Sequence, residues 1–104
     1  MKRRNFSVVK HNDLNSDLQS IIDYYNEQKP KLVNDFFFSA LKQMKQLKND
    51  CYLYEIKYQK IRCVQVPGFP YLIHYTINEE INLVYILAII GMKQKPKTNW
   101  GKRK

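Results

Sequence analysis

Cysteine is scarce in this chain, and the two that occur, Cys51 and Cys63, stand in no CxxC or Cys/His ligand spacing. A zinc site therefore has nothing to build on, and both residues are expected as reduced thiols. A nucleophilic role for Cys63 would need a base, which only His74 on a neighbouring strand could supply. No metal and no cofactor is expected. Nowhere do about 18 apolar residues run together, so no segment reads as a membrane-spanning helix. The basic start, Met1-Lys2-Arg3-Arg4, lacks the apolar stretch that a secretory signal places behind such residues. No repeat is evident. The expectation is a soluble, cytoplasmic protein whose 104 residues form one domain around a single two-layer core.

Acidic residues are outnumbered, with nine Asp/Glu against 18 Lys/Arg. The excess is not spread evenly. Residues 5 to 92 balance at nine of each sign, while Lys2, Arg3 and Arg4 at one end and Lys93, Lys95, Lys97, Lys102, Arg103 and Lys104 at the other carry the net +9. Residues 93 to 104 read as a basic tail. Such ends either solubilise the chain or steer it towards an anionic partner, acidic protein or nucleic acid.

What is present is a run of strand-forming segments. From Arg62 to Ile77, and again from Ile81 to Ile90, aromatic and β-branched residues dominate, punctuated by Pro67-Gly68 and Asn78-Glu79-Glu80. Short turns make this an antiparallel meander. Residues 83 to 90 are apolar almost throughout, as in an interior strand covered on both faces. Asn5 to Lys10 reads as a short first strand, expected to flank that last one. Asn12 is placed to cap a helix with Asp13 in its first turn and Leu14, Leu18, Ile21, Ile22 and Tyr25 on one face. Pro30 ends it and can open a second helix, to about Lys48, with a stripe of Val33, Phe36, Phe37, Ala40, Leu41, Met44 and Leu47. The connection is short, so the two form an antiparallel hairpin.

Three features stand outside that scheme. Phe38 projects away from the stripe, on the side of Lys31, Lys42 and Lys45, either as a docking point or packed under another element. Tyr52, Tyr54 and Tyr58 share parity with Ile56, as on one face of a strand, which is either a separate edge strand or continuous with the run from Lys60 to Val66. In the tail, Trp100 is the residue with most to bury and is expected to pin the tail back.

The order strand, helix, helix, meander meets specific residues: Asp17-Leu18 with Ile21 and Tyr24-Tyr25, then Ile61-Arg62, then Phe69-Pro70-Tyr71-Leu72-Ile73-His74-Tyr75. The closing Ala88-Ile89-Ile90 and the tail from Pro96 to Trp100 with Arg103 agree. On these the chain resembles the RelE/ParE superfamily of type II toxins, often described as plasmid stabilisation proteins. The resemblance implies an α+β domain, a two-helix hairpin on one face of a mainly antiparallel sheet in the order β-α-α-β-β-β, with room for one extra short strand. It also implies a cognate antitoxin and a hetero-oligomer with it, while the lack of any long apolar run sets the expectation of no membrane partner.

Family members either cleave messenger RNA on the ribosome or poison DNA gyrase. The cleaving branch carries Lys/Arg on the meander and a tyrosine or histidine in the tail. Here the tail offers Trp100, which exchanges no proton, and the third strand has Tyr71 and Leu72 near where cleavers have an arginine. The leading expectation is a toxin that acts by binding a gyrase-like target and is held inactive by its antitoxin, with Phe38 as a candidate anchor for the antitoxin and Arg62, Lys93, Lys95, Trp100 and Arg103 as further partner contacts. The alternative is a ribosome-dependent endonuclease with Lys60, Arg62 and Lys93 on phosphate and His74 or Tyr75 moving protons. His74 is otherwise a satisfied structural group. A plain nucleic-acid-binding module fits less well, because the body is neutral.

Overall fold

The computed structural model describes residues 6–94. The chain runs β1 (Ser7–Lys10), α1 (Leu14–Gln28), a 3₁₀ turn (Pro30–Leu32), α2 (Val33–Asp50), β2 (Ile56–Tyr58), β3 (Ile61–Gln65), β4 (Tyr71–Asn78) and β5 (Leu83–Gly91). The five strands form one sheet in the order β1-β5-β4-β3-β2. β1 lies parallel to β5, with Val8 opposite Val84, and the other pairs are antiparallel. β5 is therefore an interior strand, as its two-sided apolarity requires, and β1 flanks it.

The helices cover one face of this sheet. Leu14, Leu18, Ile21 and Tyr25 of α1 and Phe36, Ala40, Met44 and Leu47 of α2 bury themselves against Val64, Val66, Ile73, Tyr75, Val84, Ile86 and Ile89. These helical positions recur at three- and four-residue spacing, which gathers them on one stripe, and the opposite stripe stays wet. Gln43 interrupts the apolar pattern of α2 yet is buried, because its amide donates to the Tyr54 hydroxyl at 3.2 Å.

β5 does not keep a strict alternation, and a bulge is the reason. His74 faces Ala88 while Tyr75 faces Ile86, so Leu87 is an extra residue on β5. The shift of parity lets Ile86 and Ile89 both reach the helix side. Beyond Ile86 β1 no longer accompanies β5, and there the Ile89 N–H donates to Asp17 Oδ2 at 3.3 Å. An α1 carboxylate thus continues, for one bond, the pairing that β1 leaves off.

The β3–β4 turn is anchored by aromatics. Phe36 meets Phe69 at 5.4 Å and Tyr71 at 5.5 Å, and Tyr25 meets Phe69 at 5.9 Å, mostly edge to face. Pro67 and Gly68 occupy the corners of a turn closed by Phe69 N–H to the Val66 carbonyl, and Gly68 supplies the positive φ of 82° that a type II turn demands. Ser39 of α2 clasps the turn by donating to the Pro67 carbonyl at 2.8 Å.

Several boundaries differ from the sequence expectation. Asn12 does not cap α1: the N-cap position is Asp13, which makes no side-chain cap bond, and its N–H donates instead to His11 Nδ1. The second helix opens as a 3₁₀ turn at Pro30 and becomes α-helical at Val33, since proline removes a donor from its first turn. The tyrosine-rich stretch is not one strand. Residues 51–54 form a turn and bend, and only Ile56–Tyr58 is extended, as a separate edge strand. Lys60 lies in the β2–β3 turn, and Phe69 and Pro70 in the next turn rather than in β4.

Removing the Asp17 carboxylate leaves the Ile89 N–H without its charged acceptor, so Asp17→Ala should lower stability by about 1–2 kcal/mol in urea unfolding. Asp23→Ala, on the exposed side of the same helix, should stay within about 0.5 kcal/mol. Equal losses in the two variants would remove the role given to Asp17.

Candidate functional site

Two residues that could serve RNA cleavage are engaged with the segment that joins α2 to β2. Tyr75 is fully buried on the helix side of the sheet, and its hydroxyl donates to the Cys51 carbonyl at 2.6 Å. Burial, foremost, raises its phenol far above the ordinary range of tyrosine. Arg62 donates to the Tyr54 carbonyl, and its guanidinium lies over the Tyr52 ring, 5.4 Å from the centroid. Phe6 meets the same ring edge-on at 5.8 Å. Residues 51–54 are thus a strap held by two carbonyls and two tyrosine side chains, which accounts for the density of tyrosine there.

The other face of the sheet carries a second polar group. Tyr58 pairs with Ile61 across the β2–β3 hairpin, and Cys63 pairs with His74 across β3 and β4, so all three polar side chains come to one side. His74 Nδ1 lies 2.9 Å from the Tyr58 hydroxyl and 3.3 Å from Cys63 Sγ. Phenol and thiol can each donate to Nδ1 or accept from it, so both contacts are open to the neutral imidazole.

Burial holds each member neutral. His74 is 2% exposed, and its imidazole is pushed down to about 4 from 6.5. The Cys63 thiol is pushed up to about 11, burial outweighing the cation of Lys57, and the Tyr58 phenol is pushed up to about 12. His74 does stand beside Cys63, as a nucleophile would need. The thiol is nevertheless protonated at neutral pH, the opposite of what activation requires.

His74 and Tyr75 therefore project to opposite faces, and neither meets solvent. Lys60 and Arg62 line a cleft of about 740 Å³ at the sheet's end, together with Tyr52, Ile56, Glu79 and Glu80. Its two cations face two carboxylates. Lys93 is exposed just past β5, where Met92 N–H donates to the Pro70 carbonyl and Gly91 N–H to Gln94 Oε1. Phe38 is 66% exposed on α2, so of its two readings packing beneath another element is set aside. Lys95, Trp100 and Arg103 lie outside the described residues.

The structure brings together Lys60 and Arg62, and separately Tyr58, Cys63 and His74; it does not unite His74, Tyr75 and Lys93 with the cleft. Cys63 was paired with His74 from sequence only as a nucleophile in need of a base, and Tyr58 was not singled out as a partner of His74. The signal was there in the two-residue Gln59-Lys60 turn, which fixes Tyr58 against Ile61 and hence on the Cys63 side. Among the described residues, no group of three or more His, Cys, Asp or Glu is arranged to hold a metal ion.

Comparison with known proteins adds two findings. The family model described as ParE toxin of type II toxin-antitoxin system, parDE, matches residues 8–96. A solved structure, "Chromosomal ParDE TA system from P. aeruginosa", superposes with a TM-score of 0.73 at 16% identity, covering 84% of this chain and 96% of that one. At that identity the superposition speaks for the fold alone. No curated protein matches the sequence.

The buried imidazole gives a pH signature. His74 in the unfolded chain takes up its proton near 6.5, the folded chain only near 4, so the unfolded state binds more protons between these values. Stability is complete above about pH 6.5 and drains by up to about 3 kcal/mol as pH falls towards 4. The difference between wild type and His74→Gln in urea midpoints should change with pH within that window and be flat on either side of it. A difference independent of pH would contradict the neutral, buried imidazole.

Proposed function

Because the chain belongs to the ParE toxin family of type II toxin-antitoxin systems, we propose that it arrests growth by docking on a gyrase-like target enzyme, in the cytoplasm, and that a cognate antitoxin neutralises it in a hetero-oligomer. The observation that carries this reading is the disposal of the groups a nuclease would need. Cleaving a phosphodiester through the 2′-hydroxyl takes one group to accept a proton, one to donate it, and cations for the developing charge. Tyr75 spends its proton on the Cys51 carbonyl, and His74 is enclosed on the opposite face with Tyr58 and Cys63. Arg62 is tied to the strap, and the cleft beside Lys60 contains Glu79 and Glu80, which repel phosphate.

A docking toxin needs shape and surface charge, not a proton relay. Lys93, with Lys95, Trp100 and Arg103 of the basic tail, is the proposed contact with the target, the exposed Phe38 is the proposed anchor for the antitoxin, and the tail's clustered charge suits an acidic surface. Maintenance of the plasmid or chromosomal segment that encodes the pair follows from neutralisation by a partner made from the same locus.

Induced expression should stop growth while message ends mapped on ribosomes stay unchanged, and purified protein should inhibit supercoiling by gyrase. Tyr75→Phe, which removes the phenolic proton and costs about 1 kcal/mol of stability, should leave growth arrest intact. Site-specific message cuts that vanish in folded Tyr75→Phe or Arg62→Ala protein would overturn the docking reading in favour of a ribonuclease.

A further inference from the structure

The outer surface of the helical layer is divided by charge. From His11 to Gln28 the chain has four acidic residues, Asp13, Asp17, Asp23 and Glu27, and neither lysine nor arginine. From Lys29 to Lys48 it has five lysines against the single Asp35. The two helices lie side by side, so an acidic strip adjoins a basic one.

Phe38 stands in the middle of the basic strip. At 100° per residue, Phe38, Lys42 and Lys45 of α2 fall within a sector of about 60°, opposite the stripe that Phe36, Ala40, Met44 and Leu47 bury, and Lys31 stands in the 3₁₀ turn that leads into the helix. Phe38 is 66% exposed and is braced by the Phe37 ring at 6.0 Å, edge to face. Lys31, Lys42 and Lys45 are exposed around it. The cleft beside Lys60 also shows apolar surface, but there Lys60 and Arg62 are matched by Glu79 and Glu80, and nothing selects the charge of an occupant.

We propose that the outer face of α2 is the docking surface for an acidic amphipathic segment of the neutralising partner, a reading that rests on the toxin assignment above. Phe38 enters the apolar side of the segment, and Lys31, Lys42 and Lys45 meet carboxylates flanking it. From Lys31 in the 3₁₀ turn to Lys45 in α2 the strip spans about 20 Å and suits a helical segment of similar length. The acids of α1 repel the same segment and confine it to α2. The phenylalanine supplies the kind of aromatic anchor that interfaces bury, and the lysines at its rim steer an acidic partner towards it.

The test uses the purified full chain and a labelled synthetic amphipathic helix with a central leucine flanked by glutamates, read by fluorescence anisotropy. Phe38→Ala and the double variant Lys42→Glu/Lys45→Glu should each weaken binding about tenfold or more, and the double variant should also flatten the salt dependence. Asp23→Lys on α1 should not weaken it. Circular dichroism shows that each variant is folded.

Retention of wild-type affinity in Phe38→Ala, or failure of the acidic helix to bind while an RNA hairpin or vesicles of phosphatidylserine and phosphatidylcholine do, overturns the proposal. In cells, Phe38→Ala should arrest growth as wild type does yet escape rescue by the protein encoded beside it. Arrest that is still rescued sinks this surface and leaves the toxin reading standing. A wild-type chain that arrests nothing sinks the toxin reading, and with it the identity of the partner, while the anisotropy result still decides what the surface binds.

Discussion

The fold turns on β5 having no polar side. Val84, Ile86, Leu87, Ala88 and Ile89 are all buried, so the strand must have neighbours on both edges and cover on its faces. β4 supplies one edge through the hairpin at Asn78–Leu83. The other edge can only come from the start of the chain, and β1 takes it by lying parallel, a pairing that needs a long crossover rather than a turn. The helical hairpin with β2, β3 and β4 makes up that crossover, and the hairpin's apolar stripes cover one face. Sheet order, the parallel pair and the one-sided helical layer are thus consequences of burying one run of residues.

The bulge at Leu87 shows how a local irregularity is made consistent with that burial. It lets Ile86 and Ile89 reach the same core, a gain in buried apolar surface that offsets the broken ladder. Asp17 then accepts the Ile89 N–H, which explains why an acid belongs on the inner flank of an otherwise apolar helical face. The same logic governs the strap. Tyr75 and Arg62 supply hydrogen bonds to carbonyls that leave α2 without a strand to join, and groups so engaged are withdrawn from chemistry.

Much of this was legible in the residues. The helix stripes, the interior place of β5, the flanking first strand and the opposite faces of His74 and Tyr75 follow from periods of 3.6 and 2, which sequence displays directly. The failures share a cause. Tyr52 and Tyr54 look like strand residues because alternation over three or four positions is equally the pattern of a tight turn whose side chains pack on two sides. Asn12 looks like a cap because its type is right, but His11 offers Nδ1 to the next N–H and the helix opens one residue later. Gln43 looks wet because its partner, Tyr54, is eleven residues away and only tertiary packing brings them together. The trio of Tyr58, Cys63 and His74 needed two strand registers at once, and each register depends on a turn whose length must be known without error.

Net charge is the least informative property of this chain, because it averages over regions of different sign. The excess of +9 resides outside residues 5 to 92, where the balance is even. Within that neutral body the helical layer is split, with acids alone on α1 and a majority of lysines from Lys29 to Lys48. Stability does not ask for this division, since solvent-exposed charges of either sign contribute little to folding. A random scatter of the same residues would satisfy the core equally well. Segregation of this kind acts at the distance of a Debye length, about 8–10 Å, where it orients an approaching partner before contact. With Tyr75 and His74 enclosed, the outer face of α2 presents to other molecules that pattern of charge and the Phe38 ring set within it.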